Sequence, residues 1–340
     1  MMPPIRLGII GAGLIWIRVH RPILATMPDA FVPVAFCDVS EQRRAELARD
    51  FPKATVLDDY HQLLELPEVD TVLVMTPIAL NAPAARTALL AGKHVIMEKP
   101  VARSVAEGQD LVATARRMGR QLAVTEQMAY RQLEQIVSDV LDSGEIGDLV
   151  MWNRVHHLEV DSAPGPLRFE TTPWRKQPDF PLGTLFDGGV HLIASLTRMF
   201  GAPQTITATG RQLRPEYGEF DHVAVMFQYE HEITGLLSHS TYLPAARQYF
   251  HIYGSAGVIT LEPGQLNIEA ANRPQRVIEL PHENPYVSMW QALARARQAQ
   301  QDPFYTPERA LQDVAILETI DRAIKTGARL PVITPQPVTG

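Results

Sequence analysis

Two short stretches of this sequence carry residue types able to move a proton and steady a developing negative charge: Glu98-Lys99-Pro100 and Asp187-Gly-Gly-Val-His191. Lys99 follows the short apolar run His94–Glu98, which reads as a buried strand. The proline after it disfavours helical backbone for the lysine and brings no N–H, so Lys99 is expected in extended conformation at the carboxyl end of that strand. In an open parallel sheet that end is where ligands bind. Glu98 and Lys99 are therefore either site residues or an ordinary solvated strand end. Asp187 and His191 are four residues apart, which on a helix puts carboxylate and imidazole on one face. The glycines between them permit close approach of backbone or ligand. The alternative for this pair is a capped helix with a structural histidine.

A third stretch, Gly8-Ile-Ile-Gly11-Ala12-Gly13-Leu14-Ile15-Trp16, empties from the apolar strand Ile5–Ile10 into a helix expected over Ile15–Met27. In a dinucleotide site one glycine makes the tight turn, the next lets backbone reach the pyrophosphate, and the helix start supplies N–H groups and positive dipole. Gly11 and Gly13 fill those places, with Ala12, Leu14 and Ile15 completing the turn. Trp16 stands where the fingerprint wants a small residue, so a plain glycine-rich turn is the competing reading. A second apolar run, Phe31–Cys37, ends at Asp38, 25 residues beyond Gly13. A carboxylate there accepts from adenosine ribose hydroxyls and repels a 2′-phosphate, favouring NAD over NADP. Arg43 and Arg44, on a helix opened by Ser40, are either solvated surface charge or contacts that leave NADP open.

These residues need a frame, and the chain supplies one in alternating strand and helix signals. Ala54–Leu57, a helix from Asp58, Thr71–Met75, a helix over Asn81–Ala91 closed by Gly92, and the His94 strand follow in turn. That rhythm predicts a doubly wound parallel sheet, an α/β domain over residues 1–125. Thr76-Pro77 ends the fourth strand, beside the glycine turn; Asn81 opens the next helix, as a site residue or simply its N-cap. Ser104 and Glu107 have capping-box spacing, and Gln121–Val124 gives a sixth strand. Beyond Thr125 the pattern changes to a helix at Leu133–Ser143 and successive β-rich runs at 149–160, 205–213, 223–229, 233–242 and 249–254. This predicts an α+β second domain over 126–340 with a mainly antiparallel open sheet. Ala163–Pro181 reads as a loop carrying Trp174-Arg175, and Thr184–Gly201 as a helix.

With 340 residues, 31 basic and 38 acidic side chains and a net charge of −7, the chain has no basic run to serve nucleic acid or an anionic membrane. Its apolar stretch Leu7–Ile17 is too short to span a bilayer. One cysteine, Cys37, excludes an internal disulfide framework and suits a reducing compartment, so a cytoplasmic protein is expected. The histidines form no ligand cluster of zinc spacing, and no metal is expected.

Taken in order, Gly8-x-x-Gly11-x-Gly13, Thr76-Pro77, Ala91-Gly92-Lys-His-Val95, Glu98-Lys99-Pro100, Ser143-Gly-Glu-Ile-Gly147, Trp174-Arg175 and Asp187-x-Gly189-x-His191 resemble the Gfo/Idh/MocA oxidoreductases. Tyr249–Gly257 and Thr326–Pro331 are similar to that family's later segments. The resemblance implies a Rossmann domain followed by a substrate-binding and oligomerisation domain. It implies an NAD(P)-dependent dehydrogenase or reductase of a sugar, cyclitol or related alcohol, associating as a dimer or tetramer through the second sheet. Cofactor contacts are implied for Thr76, Pro77, Asn81, Glu98, Lys99, Gln127, Trp174 and Arg175. Asn81 stands where a histidine is common, and Gln127 where asparagine is frequent. Catalysis is implied for Lys99, Asp187 and His191. His191 is the natural acid/base. Lys99 hydrogen-bonds the reacting oxygen, and Asp187 orients the substrate or His191. Lys99 and His191 could exchange roles. Two other functions fit the same residues: an NAD-dependent glycosidase that oxidises its sugar transiently, and a non-enzymatic dinucleotide sensor.

Overall fold

The computed structural model describes residues 3–159, 169, 172–176, 178–215, 218–333 and 335. Six short apolar runs form the first sheet: β1 (Ile5–Ile10), β2 (Phe31–Cys37), β3 (Thr55–Leu57), β4 (Thr71–Val74), β5 (His94–Glu98) and β6 (Leu122–Thr125). All pair in parallel, in the order β3-β2-β1-β4-β5-β6. The strand order reverses between β1 and β4, and the carboxyl ends at such a reversal are where an open α/β sheet leaves a crevice.

Three of the connecting helices begin where a side chain can satisfy their free N–H groups. A π-helical turn, Trp16–His20, runs into α1 (Arg21–Leu24); α2 (Glu41–Asp50), α3 (Tyr60–Glu65), α4 (Ile78–Leu90) and α5 (Val105–Arg117) follow. Ser40 caps α2, Asp59 caps α3 and Ser104 caps α5 through side-chain oxygens. Glu107 accepts the N–H of Arg103 at 2.7 Å, so the box closes one residue early. The first helix stops at Leu24, short of the expected Met27. In α4, the helix opens at Ile78 behind Pro77, so Asn81 is neither the opener nor the N-cap but lies one turn inside, 1% exposed.

The second unit begins with α6 (Gln132–Asp142), followed by β7 (Leu149–Glu159), α7 (Pro173–Lys176), α8 (Thr184–Asp187), α9 (Val190–Phe200), β8 (Thr205–Arg211), β9 (His222–Gln228), β10 (Thr234–Ser240) and β11 (Tyr242–Gly254). Three further strands, β12 (Gly257–Glu262), β13 (Gln265–Ala270) and β14 (Arg276–Glu279), extend the sheet, and β15 (Leu330–Pro331) closes its other edge. The nine strands run in the order β14-β13-β12-β11-β7-β10-β9-β8-β15, antiparallel except for β7 with β10. Much of the loop expected at Ala163–Pro181 lies outside the described residues.

Register separates the two faces of this sheet, because side chains alternate along every strand. Trp152, Ile252, Ile259 and Ile268 lie in one row on the face buried under the helices, where Trp152 stacks on Phe200 of α9 with ring centroids 5.4 Å apart. Asn153, His251, Thr260, Asn267 and Val277 lie in the neighbouring row on the opposite, open face.

The chain then returns to the first unit. α10 (Pro285–Ala299) lays Met289, Trp290, Leu293 and Ala294 into the core formed by Ile5, Leu7, Trp16, Ile23, Leu24 and Phe31. The first unit thus consists of residues up to Tyr130 together with Asn284–Val314 and the stretch from Pro335, and the second of Arg131–Glu283 with Ala315–Thr334, within which α11 (Pro307–Thr326) ends. This interleaved division differs from the contiguous 1–125 and 126–340 reading, because the apolar face of α10 finds its partners on α1, β1 and β2. No helix among the described residues is long and apolar enough to cross a membrane.

Candidate active site

Gly11 is pinned where three strand ends meet. Its N–H donates to Cys37 O at 2.9 Å, its φ is +84°, and a side chain there would start 2.7 Å from the carbonyl oxygen of Met75. Only glycine fits that combination. Gly13, by contrast, is exposed, and no described atom lies within 4 Å of where its side chain would begin. A tight turn followed by open backbone is what a dinucleotide's phosphates require, so the residues present fit such a cofactor. Leu14 and Ile15 are half-buried on the way into the helix.

Trp16, at the position of the expected third small residue, is 1% exposed and points into the core. It meets Phe36 edge to face at 5.5 Å and Phe51 at 6.2 Å. The wider π turn begins at this residue, with the N–H of Arg21 bonding back to Trp16 O. The indole therefore packs the helix to the sheet where glycine would let the two approach directly.

Asp38 closes β2 and faces the glycine turn. One carboxylate oxygen accepts the N–H of Ala12 at 2.9 Å and the other the N–H of Ser40 at 2.9 Å. Each oxygen retains acceptor capacity for a hydroxyl. Arg44 donates to the carbonyls of Asp38 and Val39 at 2.9 and 3.0 Å, and Arg43 pairs with Glu46 on its own helix.

At the other side of the strand reversal, Thr76 donates to Asn81 Oδ1 at 2.8 Å, and Asn81 Nδ2 reaches Glu98 O at 3.5 Å. Asn81 thus ties the end of β4 to the end of β5. Glu98 is 8% exposed, which removes the solvated-strand-end reading for this carboxylate. Its Oε1 accepts from Thr125 at 2.8 Å and lies 2.7 Å from His20 Nε2. Burial works to raise the Glu98 carboxyl, but His20, Lys99 and Thr125 outweigh it and hold it below the usual carboxylate range. Lys99 is half-buried, followed by a buried Pro100 across a cis peptide bond. Gln127 is buried in a 3-10 turn after β6, beside the fully buried Glu126, which accepts the N–H of Met128 at 3.0 Å.

In the second unit, Arg175 joins Asp187: Nε donates to Oδ2 at 2.5 Å and Nη2 to Oδ1 at 3.4 Å. The guanidinium lies 4.0 Å over the ring of Trp174 and donates to Phe169 O at 3.0 Å. The structure places Trp174 and Arg175 with the carboxylate implied in catalysis. The expected single helix over Thr184–Gly201 is two, α8 ending at Asp187 and α9 carrying His191 in its first turn, with Gly188-Gly189 between. A side chain on Gly189 would start 2.6 Å from Leu185 O, so the glycine allows α9 to follow α8 this tightly.

Sequence reasoning missed His20, Trp290, Glu126 and a histidine group on the second sheet. His156 and His239 face each other across β7 and β10 with parallel rings, Nδ1 to Nδ1 3.3 Å. Burial pushes the imidazoles down, to about 4 in His156 and about 3 in His239, and the Arg154 guanidinium acts in the same direction on His156. His156-His157 was a legible doublet, but nothing local points to His239. Among the described residues no group of three or more His, Cys, Asp or Glu is arranged to hold a metal ion.

Residues 5–126 match the family model "Oxidoreductase family, NAD-binding Rossmann fold", and residues 135–260 match "GFO/IDH/MocA C-terminal domain". The chain belongs to the Gfo/Idh/MocA oxidoreductase family. Among its relatives in this family, the trans-1,2-dihydrobenzene-1,2-diol dehydrogenase of Mus musculus is 30% identical over 236 residues, 68% of this chain and 67% of the mouse protein. The scyllo-inositol 2-dehydrogenase (NADP(+)) IolW of Bacillus subtilis is 27% identical over 254 residues, 74% of this chain and 66% of that enzyme. The crystal structure of an oxidoreductase from Thermotoga maritima, TM0312, superposes with a TM-score of 0.88 at 28% identity, covering 97% of this chain and 98% of its own. The first unit is thus the NAD-binding Rossmann fold of a Gfo/Idh/MocA oxidoreductase, and the second carries that family's mixed, mostly antiparallel sheet.

Proposed function

We propose that this protein is a cytoplasmic NAD(H)-dependent dehydrogenase or reductase whose substrate is a sugar, a cyclitol or a related polyol. The observation that carries this reading is Lys99, placed at the carboxyl end of β5 directly after a buried, hydrogen-bonded carboxylate in an NAD-binding Rossmann unit. The relatives named for a cyclitol and a cyclic diol support the substrate class. Gly11, Ala12, Gly13, Leu14, Ile15, Asp38, Thr76, Pro77, Asn81, Glu98 and Gln127 are proposed to hold the cofactor, with Trp174 and Arg175 contributing from the second unit. When bound, the nicotinamide supplies hydride acceptance or donation. Lys99, as an ammonium, donates a hydrogen bond to the substrate oxygen and steadies alkoxide charge as it develops. His191 takes the hydroxyl proton in oxidation and returns it in reduction. Asp187, already engaged by Arg175, orients the substrate and offsets positive charge.

The test is nicotinamide absorbance during incubation of purified protein with a panel of polyols and keto sugars. Turnover with at least one of them is expected. NADH binding without turnover across the panel overturns the reading in favour of a sensor; aglycone release from a nitrophenyl glycoside without net NADH overturns it in favour of a glycosidase.

Cofactor choice follows from Asp38. At an effective dielectric near 20, a carboxylate about 5 Å from a 2′-phosphate charge costs about 3 kcal/mol. NADH is therefore expected to bind more tightly than NADPH in calorimetric titrations. Asp38→Asn, which removes the charge and keeps an acceptor for the glycine turn, is expected to lose most of that preference. An NADPH preference in the unaltered protein would show that Asp38 does not read the ribose.

Met226, Tyr249, Tyr253 and Val277 are exposed together on the open face of the second sheet. Large apolar side chains exposed among polar ones on this face support a homo-oligomer, dimer or tetramer, as the state in solution. Light scattering is expected to give at least two chains per particle, and Met226→Asp to lower that number.

A further inference from the structure

His20 has a partner on each ring nitrogen. Nε2 lies 2.7 Å from Glu98 Oε1, and Nδ1 lies 3.0 Å from Trp290 Nε1. An indole N–H can only donate, so Nδ1 must present its lone pair, and the ring proton is on Nε2, donated to the carboxylate. A doubly protonated ring would set two N–H groups against each other at Nδ1. The pair is therefore a neutral imidazole donating to an ionised Glu98, whose Oε1 also receives the Thr125 hydroxyl at 2.8 Å. Among the described residues Tyr286 lies edge-on to His20 at 6.2 Å, with Glu98 and Glu126 both bearing on its hydroxyl, and Lys99 follows Glu98 directly in the chain, its charge helping to hold that carboxyl down. His20 is fully buried, Trp290 comes from the far end of the chain on α10, and its ring also packs on Phe31 at 5.0 Å.

We propose that His20 is a positioning residue for Lys99. Trp290 selects its Nε2–H tautomer, that N–H fixes the Glu98 carboxylate, and the fixed carboxylate is the counter-charge beside the lysine. Without the His20 donor, a buried carboxylate keeps one donor too few and either takes up a proton or turns away, and each response removes fixed negative charge from beside Lys99. The role in turnover rests on the redox reading above; the charge relay does not.

Nitrogen-15 NMR of histidine-labelled protein, with His20 assigned from the spectrum of His20→Gln, tests the relay directly. His20 is expected as the neutral Nε2–H tautomer at neutral pH. An Nδ1–H tautomer or an imidazolium there overturns the proposal. Competitive acetylation by acetic anhydride then reads Lys99 without any substrate. In His20→Leu the lysine is expected to label several-fold faster than in the unaltered protein, because its ammonium has lost counter-charge. In His20→Gln, whose amide offers both an N–H for Glu98 and an oxygen for Trp290, the rate is expected to return most of the way. An unchanged labelling rate in His20→Leu overturns the positioning role. In kinetics, His20→Leu is expected to lower kcat about tenfold with substrate KM moved less than about twofold, and His20→Gln to recover most of it. Should His20→Leu fail to fold, Trp290→Phe keeps the ring packing and frees Nδ1, and His20 is then expected to titrate or to populate both tautomers. Absence of any nicotinamide-linked turnover sinks the redox reading alone, since tautomer and labelling are measured without it.

Discussion

Replacing Lys99 by alanine is expected to lower kcat by about 10²- to 10³-fold, the range found when a single donor to developing oxyanion charge is removed. Charge on the reacting oxygen grows between ground state and transition state, so a donor aimed there acts on kcat more than on KM. Lys99 suits this task by placement: it is half-buried at the end of β5, between a hydrogen-bonded Glu98 and a buried Pro100. Lys99→Arg is expected to recover little, because a planar fork does not reproduce a compact ammonium. His191→Asn, which removes the acid/base but keeps a polar side chain in the first turn of α9, is expected to cost about 10²- to 10⁴-fold. Thermal midpoints of these variants should stay within a few degrees of the unaltered protein, and NADH affinity within severalfold. Steady-state kinetics on the best substrate of the panel provides the check. Retained turnover in Lys99→Ala would remove the lysine from the mechanism while leaving the fold and family untouched.

Trp16→Ala is expected to destabilise the first unit by about 3–5 kcal/mol, the usual loss for a fully buried large aromatic. The ring fills the space between helix and sheet, touching Phe36 and Phe51 and sharing a core with Ile5, Leu7 and Trp290. Truncation leaves a cavity between helix and sheet that the close-packed neighbours cannot fill. For a unit of this size the thermal midpoint should fall by roughly 10 °C. Trp16→Gly restores the small residue of the dinucleotide fingerprint, yet it is expected to be worse still by about 1 kcal/mol, since glycine is unfavourable inside a helix. Calorimetric unfolding of the two variants beside NADH titration separates the alternatives. If Trp16→Gly tightened NADH binding without loss of stability, the indole would be an obstacle in the cofactor site and not a part of the core.

The sequence by itself determined the features written in local periodicity and hydrogen-bonding chemistry. The six parallel strands follow from short apolar runs separated by helical spacing, and the helix starts at Ser40 and Ser104 from side chains able to accept the first free N–H groups, while the helix expected from Asp58 is capped one residue later, by Asp59. Gly11 was legible because a positive φ against a neighbouring carbonyl admits no side chain, and the Lys99 strand end because proline stops what precedes it. The polar strands β13 and β14 gave weak signals: β13 turns only Leu266 and Ile268 inward, and β14 has little buried surface at all.

Tertiary structure alone decided which distant residues meet. His20 and Glu98 are 78 positions apart, His20 and Trp290 270, and His156 and His239 83. Nothing in the residues around either partner marks such a pair, because a buried hydrogen bond requires only that two side chains arrive at the same place. The same is true of α10, whose apolar face reads as a helix of either unit until its partners on α1, β1 and β2 are known. Trp16 shows the two levels in conflict: by position it belongs to a phosphate turn, while the packing of Phe36 and Phe51 draws its ring into the core. The π turn that opens the helix at Trp16 is where backbone geometry accommodates both.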